Sequence, residues 1–152
     1  MIDHDTLPSY SRYVLAGLGN LSLVFPDVYV AEIMIVDRSE LLPIPFFNPS
    51  VLGLVQQQGV IVPLVSLKRA LLGTKILVPE KITVVRLSDE FEEISGAGLV
   101  VDRVISSISS LQYGQLMSGE SPALAEYMRL ESLLPYLGEL VWKPQRWHPS
   151  SG

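Results

Sequence analysis

The sequence predicts an all-β protein, a barrel or sandwich of short strands with only fragments of helix. Apolar runs rich in Val, Ile and Leu recur with turn signals about every eight to twelve residues, which is the rhythm of neighbouring antiparallel strands. Prolines at positions 43, 45, 49 and 63 fall in or beside those runs, where none can be the interior of a helix. Charged residues make up 18% and apolar residues 48% of the chain. A typical globular protein carries roughly 25% charge, so part of this surface is apolar area available to other chains.

The elements follow in order. Residues 10–18, "YSRYVLAGL", and 21–25, "LSLVF", flank Gly19-Asn20. Both turn residues tolerate positive φ, so the three pieces form a β-hairpin. Pro26 can open a helical turn, with Val30 and Ile33 on one face, ahead of a short strand over Ile33–Val36. Residues 41–50, "LLPIPFFNPS", are a loop or extended connection, because their three prolines fit neither a helix nor a central strand.

"VLGLVQQQGVIVPLVSL", residues 51–67, sets three glutamines and Gly59 between two apolar arms. It is either one buried strand with a defect or two strands that meet at a turn. Leu67, Ala70 and Leu71 then share the face of a short helix that Gly73 stops. "ITVVRL", residues 82–87, is a β-branched strand, and "SDEFEEISG", residues 88–96, is an acidic hairpin tip. "AGLVVDRVISSIS", residues 97–109, reads as one long strand and "QYGQLMSGESP", residues 112–122, as a loop. Residues 123–137 form either a helix or a strand over Leu124–Leu130 that runs into a helical turn at Glu131–Leu134. The predicted core includes Leu52, Leu54, Val60, Val62, Leu64 and Leu99.

The chain of 152 residues reads as one domain, long enough to bury its core without a staple. It has no cysteine, which removes disulfides, thiol catalysis and cysteine-based zinc sites. With a net charge of −5 and scattered basic residues, it lacks the stripe that nucleic acid requires, and an anionic membrane surface is disfavoured on the same ground. No segment reaches the ~20 apolar residues of a membrane span. The start, "MIDHDTLPSYSR", has no basic n-region and is no secretory signal. The expected setting is cytoplasmic, without membrane insertion.

Candidate chemistry is thin. His4 and His148 are the two histidines, both in terminal tails where no scaffold orients them as metal ligands or as a catalytic base. "GLGN" and "GAG" lack the Lys and Ser or Thr of a phosphate loop. Asp89, Glu90, Glu92 and Glu93 form a solvated charge run. Asp102-Arg103 interrupts an apolar strand. It is either a solvent-facing position with a cross-strand ion pair or a polar contact on a docking surface. No catalytic residue, metal site or cofactor is assigned.

Four segments, taken in order, resemble the CheW-like domain family over roughly residues 9–140. "VLGLVQQQGVIVPLVSLKRALLG" is similar to its Gly-Val-x-Asn-x-Arg-Gly run, Pro-centred strand ending in Asp-Leu, and Leu-Gly-ended helix. "GAGLVVDRV" is similar to its Gly-apolar-apolar-Val-Asp-x-Val signature. "DVYVAEIMI" resembles the family's Val-x-Glu-Ile run, and "LAEYMRLESLLPYL" its closing strand and helical turn. The resemblance implies two intertwined five-stranded SH3-like barrels over 9–140, with tails at 1–8 and 141–152.

The same resemblance implies a non-catalytic adaptor that couples chemoreceptor-type sensors to a CheA-type histidine kinase in a two-component array for chemotaxis, phototaxis or pilus motility. The implied partners are the kinase regulatory domain, a chemoreceptor or photoreceptor-type methyl-accepting protein, and other CheW-like domains. Val30, Glu32, Ile33, Gln56, Gln58, Gly59, Asp102 and Arg103 are the implied partner-binding positions. Gln56, Gln58 and Ser66 stand where the family has Asn, Arg and Asp. If that Arg pairs with that Asp, losing both leaves no charge unpaired, and the change points to a divergent partner set. Two other readings remain open: a small barrel enzyme or ligand-binding module with a pocket between the barrels, and a bridging protein that no longer binds the kinase.

Overall fold

The computed structural model describes residues 12–44, 49–72, 77–90, 96–117 and 127–129. The first hairpin is as expected, with β1 (Arg12–Leu18) and β2 (Leu21–Pro26) paired in register from Tyr13–Pro26 to Leu18–Leu21. Gly19 takes φ +62 and Asn20 stays at negative φ, so only the first turn residue uses the left-handed region, as in a type II′ turn. After Pro26 there is a single 3-10 turn, Asp27–Tyr29, and β3 (Val30–Asp37) starts at once rather than at Ile33. Ser88 shortens the turn from outside: its N–H donates to the Tyr29 carbonyl at 2.9 Å and its hydroxyl to the Val28 carbonyl at 2.8 Å.

The glutamine-rich stretch is two strands and not one. β4 (Val51–Gln57) and β5 (Val60–Ser66) flank the two-residue turn Gln58-Gly59. β5 runs into α1 (Leu67–Leu72), and β6 (Lys81–Leu87) follows. Gly73 lies outside the described residues, as do Glu92 and Glu93 of the acidic tip.

Two readings are corrected further along the chain. The expected long strand over 97–109 breaks at Asp102 into β7 (Gly98–Val101) and β8 (Arg103–Ser109), which belong to different sheets. Residues expected to start a loop form α2 (Ser110–Met117) instead. Its N-terminus is a capping box. The Gln112 N–H donates to Ser109 Oγ at 3.2 Å, and the Ser109 N–H donates back to Gln112 Oε1 at 3.0 Å. Of the two readings open for 123–137, the strand holds over β9 (Tyr127–Arg129), and the remainder lies outside the described residues.

Strand order is β8-β1-β2-β9 in one sheet and β3-β6-β7-β5-β4 in the other, with β9 parallel to β2 and β7 parallel to β5. Between the sheets lies the main apolar cluster, where Leu18, Leu23 and Phe25 meet Leu67, Val85, Leu87 and Leu99, all at most 3% exposed. The opposite face of the five-stranded sheet encloses a second cluster of Val36, Val55, Val62, Leu64, Ile82 and Val84. On the outer face of the four-stranded sheet, α2 covers Tyr13, Leu15, Val24 and Ile108, with Tyr113 stacked on Tyr13 at a ring separation of 3.9 Å.

A single bridge rolls the five-stranded sheet around its inner cluster. Leu42, beyond the end of β3, exchanges both backbone hydrogen bonds with Leu54 of β4, at 2.8 and 2.9 Å, and so joins the two free edges. The crossing needs Gly53, because a Cβ there would stand 2.5 Å from the Leu42 carbonyl oxygen, at a φ of +153. Gly53→Ala is therefore expected to lower stability by about 1–3 kcal/mol, read as a lower denaturant midpoint at an unchanged slope.

Candidate functional site

Strand register sorts the predicted positions into two groups. Val30 pairs with Leu87, Arg86 with Gly98, and Gly98 with Leu64. The entry to β3, the β6–β7 connection and the Gln58-Gly59 turn therefore lie at one end of the five-stranded sheet. Val30, Glu32, Ile33, Gln56, Gln58 and Gly59 sit at or toward this end. Asp102 and Arg103 are at the other, where the chain leaves β7 for β8.

The first end combines exposed apolar side chains with acids. Val28, Val60 and Ile61 are 39%, 50% and 60% exposed, and Asp89 and Glu90 are exposed on the β6–β7 connection. The sequence pattern places Val60 in the core with Leu52, Leu54, Val62, Leu64 and Leu99. It projects instead at the hairpin tip, opposite Gln57, half exposed, while Leu52 and Leu54 are half-buried. Along the β3 edge, Ile33 and Ile35 lie on one face at 45% and 67% exposure, although Val85, paired with Ile33, is fully buried. The apolar face of the sheet thus continues past the region that the second sheet covers. Glu32 holds Arg86 across the strand pair at 3.0 Å. Lys81 and Asp37 close the other end of the same pair at 2.6 Å, and that hydrogen bond and charge raise the Lys81 ammonium above the ordinary lysine range.

Asp102 is exposed, yet it is tied to other parts of the chain. Its N–H donates to the Gly17 carbonyl at 2.9 Å, its Oδ2 accepts the Gly19 N–H at 2.7 Å, and the same oxygen meets Lys68 Nζ at 3.1 Å. The ion pair runs to helix α1 and not across a strand, because Asp102 stands at the break between strands. Arg103 lays its guanidinium over Gly17, 2.6–2.9 Å from where a Cβ would be.

Beside α1 a cleft of about 390 Å³ is lined by Lys68, Arg69, Lys81 and Asp102 over an apolar floor that includes Leu52 and Val100. It borders the seam between the sheets, where Leu18 and Val101 of the main cluster also line it. Among the described residues no three His, Asp or Glu side chains converge as metal ligands, and no helix is long and apolar enough to cross a membrane. His4 and His148 lie outside the described residues.

A family model described as "CheW-like domain" matches residues 12–130. The chain belongs to the CheW-like domain family. A search of curated proteins finds no match. Among solved structures, the scaffolding protein TtCheW from Thermoanaerobacter tengcongensis is similar at 22% identity, with 72% of this chain and 68% of that one covered and a TM-score of 0.50. That likeness is one of fold. The CheW-like architecture of two SH3-like barrels accounts for the two sheets, of which the described residues supply five strands and four.

Family membership gives two departures from its pattern a physical reading. Ser66, in place of the family's aspartate, is the N-cap of α1, where its Oγ accepts the Arg69 N–H at 3.3 Å. Serine and aspartate are nearly equal in that role, so the change keeps the helix start. Gln58 lies beyond the far end of β5, roughly 20 Å from Ser66 at the rise of a β-strand. An arginine at the first position could not reach an aspartate at the second, so the two losses do not compensate each other. Gln58 is at φ 51 and Gly59 at φ 81, a type I′ turn in which both central residues are left-handed.

Because Gln58 adopts that backbone region without being glycine, Gln58→Gly is expected to raise stability by about 0.5–1 kcal/mol. Ser66→Ala should lower it by about 1 kcal/mol, and Ser66→Asp should leave it nearly unchanged. Thermal unfolding of the three variants checks these values.

Proposed function

We propose that this protein is a non-catalytic adaptor that couples a chemoreceptor-type or photoreceptor-type methyl-accepting sensor to a CheA-type histidine kinase in the cytoplasm, with residues 9–140 as the functional unit. The observation that carries this reading is the family match over residues 12–130. The surface supports it, because the five-stranded barrel ends in Val28, Val60 and Ile61, exposed at 39%, 50% and 60%, and continues into Ile33 and Ile35 on an edge strand. Exposed apolar side chains beside unpaired strand backbone are what a second β-barrel requires for docking.

Val30, Glu32 and Ile33 form the edge contact, and Gln56, Gln58 and Gly59 form the tip contact. With Asp89 and Glu90 exposed on the neighbouring connection, the end has an acidic side that favours a partner surface with an apolar centre and basic flanks. Gln58 brings a neutral amide where the family has a forked cation, so a carboxylate on the receptor side gains no bidentate ion pair from this turn. That favours the divergent partner set of phototaxis or pilus-motility arrays.

Calorimetry with a CheA-type regulatory domain and with a receptor tip tests the reading, and binding of both is the expected result. Binding of the receptor tip or of another CheW-like domain without the kinase would make the protein a bridging member. Binding of neither would remove the adaptor reading. Ile61→Asp and Ile33→Asp are each expected to weaken at least one contact by about tenfold or more, with the far-UV circular dichroism unchanged because both side chains are exposed.

A further inference from the structure

We propose that Asp102 is a positioning residue, an electrostatic latch that sets how the two sheets are held relative to each other. The chain passes from the five-stranded to the four-stranded sheet across this one residue. One carboxylate oxygen, Oδ2, reaches both sides. It accepts the Gly19 N–H of the β1–β2 turn at 2.7 Å, and it holds Lys68 of α1, the helix that extends β5, at 3.1 Å. The backbone of the same residue donates to the Gly17 carbonyl of β1 at 2.9 Å. Turn, crossing and helix therefore converge on one group at the rim of the apolar seam.

The seam supplies cohesion, but apolar contacts are non-directional and leave small rotations between packed sheets inexpensive. The short charge-assisted contacts at the rim are directional, so they select one arrangement. The Asp102 and Lys68 side chains are 32% and 29% exposed, open enough for salt to weaken the pair. On the adaptor reading, the consequence is functional. The docking end of the five-stranded barrel and any contact made by the four-stranded sheet keep a fixed relative orientation only while the latch is closed.

The test uses the full chain, which has no cysteine of its own. Spin labels are placed at Ser39→Cys, on the turn after β3, and at Ser106→Cys on β8, both exposed positions. Pulsed electron–electron double resonance then measures the distance between the two sheets. Asp102→Ala is expected to broaden the distance distribution roughly twofold. Asp102→Asn retains an acceptor for the Gly19 N–H but loses the ion pair to Lys68, and is expected to show an intermediate width with no response to salt. Lys68→Met should broaden it slightly and abolish the further broadening that 1 M salt causes in the parent chain.

A distribution unchanged in Asp102→Ala, or a salt response that survives in Lys68→Met, would overturn the latch. If Asp102→Ala does not fold, the asparagine and Lys68→Met measurements decide the matter alone. Binding adds a separate readout. Kinase domain and receptor tip should each bind Lys68→Met as they bind the parent, while joint binding of the two weakens roughly twofold or more. A parent chain that binds neither partner removes the adaptor reading and leaves the distance measurement to judge the latch.

Discussion

The centre of the five-stranded sheet has to be dry on both faces, and most of the molecule follows from that constraint. One face closes on Val36, Val55, Val62, Leu64, Ile82 and Val84, and the other packs against β1 and β2. A sheet covered on one side alone shows alternation of apolar and polar residues, whereas one covered twice shows near-continuous apolar runs. The stretches from Val62 to Val65, Ile82 to Val85 and Gly98 to Val101 are such runs. The low charge content of 18% has the same origin, because a chain of this size with two apolar layers has fewer positions to give to charge. Gly98 belongs to the same crowding: a Cβ there would stand 2.6 Å from Val84 and 2.8 Å from Leu64.

Double burial also explains which elements are legible in the sequence and which are not. Hairpins are legible because their turns carry local chemistry, Gly19-Asn20 in one and Gln58-Gly59 in the other. The sheet crossing at Asp102 is not. Alternation marks which side of a strand is wet, and in a run that is dry on both sides nothing marks where the chain changes partners. A lone aspartate in such a run reads as a solvent-facing position. Its real distinction, contact with Gly19 and Lys68, depends on residues far away along the chain. Helix α2 is legible in principle, through the Ser109–Gln112 spacing of a capping box. The low helix propensity of the Gly and Ser around it obscures that signal.

The candidate site is legible by type and less so by place. An apolar sequence pattern cannot separate a core strand from the tip of the same strand, which is why it places Val60 in the core although that residue is 50% exposed. Strand length decides the matter. β5 extends past β7, its four-residue neighbour, by the residues from Val60 to Pro63 in register terms, and at the tip of that overhang Val60 and Ile61 are exposed. The exposed apolar end is thus a product of unequal strand lengths, information that resides in the pairing and not in either strand alone.

The resemblance supplies residues, and the geometry changes what two of them mean. Ser66 is explained by helix capping, so its departure from the family pattern carries no information about partners. Gln58 has no such internal role. It stands exposed at a left-handed turn, φ 51, where a glycine or asparagine is cheaper. Strain persists where the surrounding structure overrides it, and here β4 and β5 dictate the turn whatever residue stands at 58. The turn at Gln58 is thus set by its two strands, whereas Asp102 ties the sheet crossing to the β1–β2 turn and to α1.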